Sequence, residues 1–462
     1  MAIRENIQNK SAIRQSPPPD GAVQLSLFGG TADGEFTLQQ VIDALRLCLR
    51  GKSGTMDAQE FVNAFYPGCV ALWRELNSRQ YRPSRYIVFI SPHPVTREIF
   101  ASMFRDRGVD TLIIQRLLPL LEQHLVDDNY STRVAKGTLY GVKRIYNMIW
   151  QESEGYTRDC YVLQLDIWSF FMSIPKDKAW QVWADFLNRY YMAPDRELIL
   201  WTLRVILNDR PEQHCVRKGS VSDWNPLPRH KSLFYGDGRH GLPIGKVVVQ
   251  MTALLYLHDL DMLLLTDWKT PHNGHYMDDR TCVHTSERHL LAVKSKIDHW
   301  HEGRELMTHP RKTKLLHYRQ GIKFAGAMIL PGRTYLLNST VCKCFSRLYY
   351  YNEQAKADRS YVYQHIDDFA ATMNSYFGQL CQHTEWNLTH RIIHMIGPEW
   401  YQVMEVVRRS GQHNYIVRPK SKYQLCSKAM RMLYIRMNHY KIVKRTKGIC
   451  GYDRIKDMRQ TA

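Results

Sequence analysis

The chain has 462 residues, a length that suits about two to four domains. Hydrophobic residues make up 44% and aromatics 11%, enough for a core, so a wholly disordered chain is excluded. With 63 Lys and Arg against 44 Asp and Glu the formal charge is +19, which points first to polyanionic partners.

Residues 1–35 are polar, with Pro17-Pro18-Pro19 and several glycines, and read as a flexible arm without the apolar stretch of a secretory signal. Thr37 is a plausible N-cap for a helix with Val41, Ile42, Leu45 and Leu49 on one face. A second helix is expected from Asp57, with Phe61, Phe65, Val70 and Trp73 apolar. RYIVFIS (85–91) is rich in strand formers, and 96–127 reads as helix. CYVLQLD (160–166) alternates and delivers Asp166 at a strand tip. VVVQMTALLYLHDLDMLLL (247–265) is apolar almost all round and reads as a buried helix. GHYMDDRTCVH (274–284) reads as two short strands with the acidic pair at the turn. GIKFAGAMIL (321–330) is β-like, and the pattern beyond about 340 is mostly helical. No run of eighteen apolar residues exists, so no membrane span is expected. The ten cysteines form no C-x-x-C, which suits reduced thiols in a cytoplasmic protein rather than zinc or a disulfide framework.

Three carboxylates stand out: Asp166, Asp278 and Asp279. Taken alone, an Asp-Asp pair is more often an exposed turn. Neighbouring like charges raise each other's pKa unless a cation neutralises them, and a divalent metal does so. The order decides the reading: Asp166-Ile-Trp-Ser-Phe-Phe-Met-Ser-Ile174, Gly241-Leu-Pro-Ile-Gly245 with Gln250, Tyr276-Met277-Asp278-Asp279, Pro310-Arg-Lys-Thr-Lys314 and Gly321-Ile-Lys-Phe-Ala-Gly326. This series resembles the reverse transcriptase family. It is closest to bacterial enzymes of diversity-generating retroelements and the related defence-associated, unknown-group enzymes. Further likeness is carried by Arg97-Glu98-Ile99-Phe100, Phe104-Arg105-Asp106-Arg107, Lys136-Gly137-Thr138-Leu139-Tyr140-Gly141, Lys231-Ser232-Leu233-Phe234 and Asn374-Ser375-Tyr376-Phe377-Gly378.

The resemblance implies an α+β right-hand polymerase: fingers, a palm with an antiparallel sheet, a helical thumb and a basic C-terminal extension. The expected division is a flexible arm (1–35), a helical segment (36–80), fingers and palm (81–337), thumb (338–417) and extension (418–462). It implies that Asp166, Asp278 and Asp279 hold two Mg²⁺, with Mn²⁺ as a substitute, and Asp279 less directly than its neighbours. Lys312, with Lys314 as rival, would protonate the pyrophosphate leaving group. Phe171 would exclude a 2′-hydroxyl, while Phe170 packs into the palm. Arg133 and Lys136 would grip the triphosphate, and Gly245 with Gln250 would border the nucleotide. Ile244, where many retroviral relatives carry glutamine, implies relaxed fidelity.

Departures bear on the biological programme rather than the chemistry. Val249 stands where the diversity-generating group usually has serine, and Arg133-Val-Ala-Lys-Gly137 replaces its usual Cys-Arg-Lys-Gly. An antiphage enzyme copying a dedicated noncoding RNA into cDNA from dNTPs is the leading expectation, with an accessory protein or a second reverse transcriptase among its partners. Error-prone diversification, template-independent or protein-primed synthesis, and a non-catalytic RNA-binding scaffold are the alternatives. The extension carries thirteen Lys/Arg and two Asp, interleaved with Tyr423, Tyr434 and Tyr440, a composition suited to phosphates and unpaired bases.

Gln24-Leu25-Ser26-Leu27-Phe28 resembles the pentapeptide with which bacterial polymerases bind the sliding clamp. Leu27 and Phe28 would be the apolar anchors and Gln24 the hydrogen-bonding residue. A labelled 18–32 peptide titrated with purified clamp is expected to saturate, and Leu27→Ala with Phe28→Ala to abolish binding. Non-saturable binding refutes the motif.

Overall fold

The computed structural model describes residues 34–52, 54–92, 95–409 and 415–421. The clamp-like segment Gln24–Phe28 and most of the basic extension, 422–462, lie outside the described residues. In chain order come α1 (Leu38–Lys52), α2 (Met56–Asn63), α3 (Phe65–Asn77), β1 (Tyr86–Ser91), β2 (Arg97–Ala101), α4 (Phe104–His124), α5 (Thr138–Glu152) and β3 (Tyr161–Leu165). Then follow α6 (Phe170–Ser173), α7 (Lys176–Tyr190), α8 (Arg196–Asn208), β4 (Cys215–Arg217), α9 (Val247–Leu265), β5 (Asn273–Tyr276), β6 (Asp279–His284), α10 (Glu287–Gly303) and β7 (Lys314–His317). The remainder are β8 (Ile322–Phe324), β9 (Ala327–Leu330), β10 (Arg333–Leu336), α11 (Asn338–Ala357), α12 (Tyr361–Gln364), α13 (Ile366–Leu380), α14 (Trp386–Met395), α15 (Pro398–Val403), β11 (Met404–Arg408) and β12 (Tyr415–Pro419).

The chain divides into two compact units. One takes the described residues within Met1–Phe89, Phe100–Leu120 and Trp180–Gly219. Thr37 caps α1 as expected, its hydroxyl accepting from the Gln40 amide at 3.2 Å, and Val41, Ala44 and Leu45 are buried. The helix expected from Asp57 is two helices, broken at Ala64. Pro67 has no N–H to donate and fits only the first turn of a helix, so a new one begins at Phe65. Asp106 is buried and accepts from the Tyr81 hydroxyl and the Ser84 amide, each at 3.0 Å. Beside it Arg105 grips Glu75 through two nitrogens, at 3.1 and 2.6 Å. β1 pairs in parallel with β4.

The second unit takes the described residues within Ile90–Ile99, Leu121–Ala179 and Ser220–Ala462. Its centre is a four-stranded antiparallel sheet in the order β5-β6-β3-β7. The alternation of residues 160–166 resolves into two buried faces. Val162 and Val283 pack with Val142, Ile145 and Ile149 of α5. Leu163, Leu165 and Cys282 pack with Leu260 and Leu264 of α9 and Leu290, Val293 and Ile297 of α10. Helix α9 is long and apolar enough to cross a membrane by length and composition, yet 67% of it is buried by the surrounding protein.

Three further elements differ from the sequence expectation. The helix expected over 96–127 opens as strand β2 before α4. GIKFAGAMIL is two strands joined by Ala325-Gly326, both left-handed, which is the two-residue turn that suits a hairpin. Pro331-Gly332 then reverses the chain into β10. Beyond 340 the helices are joined by the hairpin β11–β12, which Asn374 clips from α13 by bonding both the amide and the carbonyl of Val417, at 2.7 and 2.8 Å. The core of this region is Trp400, stacked on Phe369 with centroids 4.0 Å apart.

Gly274 in β5 leaves space for buried Tyr130. A Cβ there would stand 2.0 Å from the Tyr130 hydroxyl oxygen and 3.0 Å from the Asp128 carbonyl. Gly274→Ala is therefore expected to cost about 1–3 kcal/mol in urea unfolding. Adding Tyr130→Phe should return part of that loss.

Candidate active site

The sheet register assembles the site. In β3–β6 pairing Leu165 stands opposite Arg280, so one step on Asp166 comes level with Asp279. In β3–β7 pairing Gln164 stands opposite Lys314, so the same extension brings Asp166 level with Lys312. Lys312, Asp166 and Asp279 thus form a row across the strand ends. Lys312 Nζ lies 2.6 Å from Asp166 Oδ2. Asp166 is 6% exposed, held in place because the core strand behind it is buried on both faces. Tyr276 pairs with Asp279, leaving Met277 and Asp278 as a two-residue turn in which Met277 is left-handed, φ 54°. That conformation is unfavourable for a side chain of this size.

The electrostatics follow from the crowding. Desolvation, then the charge of Asp166, raise the Asp278 carboxyl above the ordinary range, with Lys312 and Arg97 opposing. Asp279 reaches solvent at the strand end, but desolvation on its inner side, then Asp278 and Asp166, push it up to about 7. The cleft beside these groups is lined by Asp166, Asp279, Arg311, Lys312, Lys314 and Lys323, among others, so acid and base face each other across it.

The other expected residues fall around this unit in two groups. The Leu242 amide donates to the Phe171 carbonyl at 2.8 Å, and the Gly241 amide to the Ile174 carbonyl at 3.0 Å. These bonds tie the loop carrying Ile244 and Gly245 to the segment carrying Phe171. Gly245 has φ 129°, a conformation open to glycine. Phe170 is buried, as expected, and its ring packs against the half-buried Phe171. Gln250 accepts from the Thr132 hydroxyl at 3.3 Å. Arg133 next to it is 4% exposed and donates to Glu122 and to the Val126 carbonyl. Lys136 pairs with Asp127 at 2.8 Å. Both cations are engaged with the protein itself, and the structure does not join them to the aspartates.

Sequence reasoning missed the groups beneath the turn. Asp261 of α9 is fully buried, with His275 Nε2 at 3.1 Å and an Arg280 nitrogen at 2.6 Å. Burial alone would raise its pKa; His275 and Arg280 outweigh burial and hold it at about 2. A carboxylate at position 261 in a helix apolar almost all round was the available signal. Glu98 was quoted only for resemblance. It is buried and accepts from the Trp224 indole, the Ser232 hydroxyl and the Leu233 amide, anchoring Lys231-Ser-Leu-Phe234.

Among the described residues no three His, Cys, Asp or Glu side chains already converge as a coordination sphere. The donor chemistry nevertheless fits a hard divalent cation. Three carboxylates offer oxygen ligands, two of them have pKa values raised by desolvation and by the charge of neighbouring carboxylates, and one lysine donates to an oxygen of the third.

Residues 96–329, just over half the chain, match the family described as reverse transcriptase (RNA-dependent DNA polymerase). The chain belongs to this family, and its α+β architecture is the family's polymerase fold. A search of curated proteins finds no match. Among solved structures, apo telomerase from Candida tropicalis shares 10% identity over 69% of this chain and 62% of that chain, with a TM-score of 0.42. The same apo telomerase truncated from the C-terminal domain gives 12% identity, 55% coverage of each chain and a TM-score of 0.39. Candida albicans telomerase in complex with a TWJ fragment of telomeric RNA gives 10%, 68% of this chain, 55% of that chain and 0.40. The chain spans 55–62% of the length of these structures.

The Asp279 shift gives a pH test. Its pKa in the folded chain is about 7, against about 3.9 when unfolded. The folded state therefore holds the extra proton between those values, and stability falls as pH rises through that window. Exposure to solvent limits the effect to about 1 kcal/mol. In EDTA, Asp279→Asn is expected to raise Tm by about 2 °C over wild type at pH 8. Near pH 4 the two should melt together.

Proposed function

We propose that the protein is an RNA-directed DNA polymerase that copies a dedicated noncoding RNA into cDNA, in the cytoplasm and in antiphage defence. The observation that carries the polymerase reading is the strand register that sets Asp166 level with Asp279, with Asp278 in the adjoining turn, in a chain of the reverse transcriptase family. On this reading Asp166, Asp278 and Asp279 hold two Mg²⁺, which when bound supply Lewis-acid activation of a 3′-hydroxyl and charge stabilisation of the leaving pyrophosphate.

The chain's own residues do the rest. Lys312 carries a proton beside Asp166 and can deliver it to a leaving-group oxygen. Phe171 would be the ring with which a 2′-hydroxyl clashes. Gly245 allows close backbone approach, and Ile244, half-buried beside it, offers apolar contact where a glutamine would hydrogen-bond. The resemblance of the sequence motifs to bacterial enzymes that include the defence-associated group supports the antiphage role. Val249 supports it over diversification: it is fully buried, so the serine usual in the diversity-generating group has been replaced by a core methyl-bearing side chain. The basic extension would hold the RNA, and Gln24–Phe28 would hold the sliding clamp.

Primer extension with Mg²⁺ on an RNA template tests the polymerase. Asp278→Asn is expected to lose activity by about 10³-fold; wild-type rates in that variant would remove Asp278 from the chemistry, and no extension by the wild-type chain would leave an RNA-binding scaffold. Sequencing of cDNA from cells, with phage challenge of the same variant, tests the role: one RNA copied, and protection lost with catalysis. cDNA spread over a variable-protein gene would favour diversification.

Lys312 gives a second test with two opposite signs. Lys312→Ala removes the ammonium that occupies Asp166, so half-maximal Mg²⁺ should fall. It also removes the proton donor, so kcat should fall by about 10²-fold. A variant with unchanged kcat would remove Lys312 from the chemistry.

A further inference from the structure

The Tyr276–Asp279 turn contains no glycine, yet Met277 is left-handed. Such a conformation persists only where its surroundings over-determine it. Two contacts do so from below. His275 Nδ1 lies 2.9 Å from the Met277 carbonyl oxygen, and its Nε2 lies 3.1 Å from Asp261 Oδ2. A carbonyl oxygen has no proton to give, so Nδ1–H is the donor in the first contact. Asp261 is fixed in turn by Arg280 at 2.6 Å, and Arg280 reaches Asn273 Oδ1 at 3.2 Å. His275 is 1% exposed and Asp261 fully buried, so the imidazole has no room to swing away.

The peptide between Met277 and Asp278 is a rigid plane whose carbonyl and N–H point in opposite directions. With its carbonyl held inward by His275, its N–H, which belongs to Asp278, is turned to the opposite side, so the same plane sets the backbone from which the Asp278 side chain departs. We propose that His275 is a positioning residue: by holding the Met277 carbonyl it orients the peptide plane that aims the Asp278 carboxylate. Asp261 and Arg280 fix the imidazole from α9 and β6. The effect on turnover rests on the polymerase reading; the effect on cation binding does not.

The test uses the full chain. In wild-type protein labelled with ¹⁵N-histidine, His275 Nδ1 is expected to be protonated; an unprotonated Nδ1 overturns the proposal whatever any variant does. In Mn²⁺ titration by EPR, His275→Phe, which keeps a ring without donors, is expected to weaken affinity by about 10–100-fold. Its kcat for primer extension should fall by a similar factor while KM for dNTP stays within about twofold. His275→Gln, whose amide can donate to the Met277 carbonyl, should recover part of both losses. Mn²⁺ affinity and kcat equal to wild type in folded His275→Phe overturn the proposal. If wild type extends no primer but the Mn²⁺ shift is present, the polymerase reading fails and the role of His275 stands.

Discussion

The organising constraint is a row of charges that strand register forces together. Asp166 is carried by β3 to a point level with Asp279 on one neighbour and Lys312 on the other. The turn adds Asp278 to the same place. Three carboxylates meet one closely paired lysine, and Lys312 is itself 55% exposed on its side chain. The fold holds this imbalance because the strands cannot slip. Val162 and Leu163 are both fully buried, in cores on opposite faces of the sheet, and a one-residue shift would turn every side chain to the wrong face. Packing energy on two faces thus secures a charge arrangement that electrostatics alone would disperse.

Three turns between neighbouring strands of this unit show where the backbone is under demand. Ala325-Gly326 and Pro331-Gly332 each supply a glycine where φ is positive. The Met277-Asp278 turn does not, and its left-handed residue is held by a buried histidine and the ion pair beneath it. A side chain at 277 and an exactly oriented peptide have been kept where glycine would have been easier for the chain. Strain of this kind gathers at functional sites, where the surroundings fix what the local sequence would not choose.

Much of this was legible before any coordinates. The strand ending in Asp166, the buried helix of 247–265 and the hairpin with its acidic turn all follow from period and composition, because each is strongly patterned over its whole length. What escaped depends on contacts distant in sequence. No periodicity says that Asp261 on α9 meets Arg280 on β6, or that Glu98 anchors residues 224–233. Boundaries escaped for local reasons: Pro67 splits a helix that hydrophobic spacing alone would continue, and Ala325-Gly326 folds one apolar segment into two strands.

The two cations expected to grip a triphosphate are not equivalent. The Arg133 side chain is 4% exposed and donates to the Glu122 carboxylate and the Val126 carbonyl, so its release would leave both without this donor. Lys136 makes its ion pair with Asp127, whose side chain is 69% exposed and can return to water when displaced. A phosphate at that ammonium would replace the Asp127 carboxylate with another oxyanion, while the Asp127 carbonyl that Lys136 also bonds would give up this donor. Arg133 instead braces the backbone beside Thr132, whose hydroxyl meets Gln250. On the proposed polymerase reading the contact to nucleotide would therefore fall to Lys136, with Arg133 holding the backbone from which that lysine reaches.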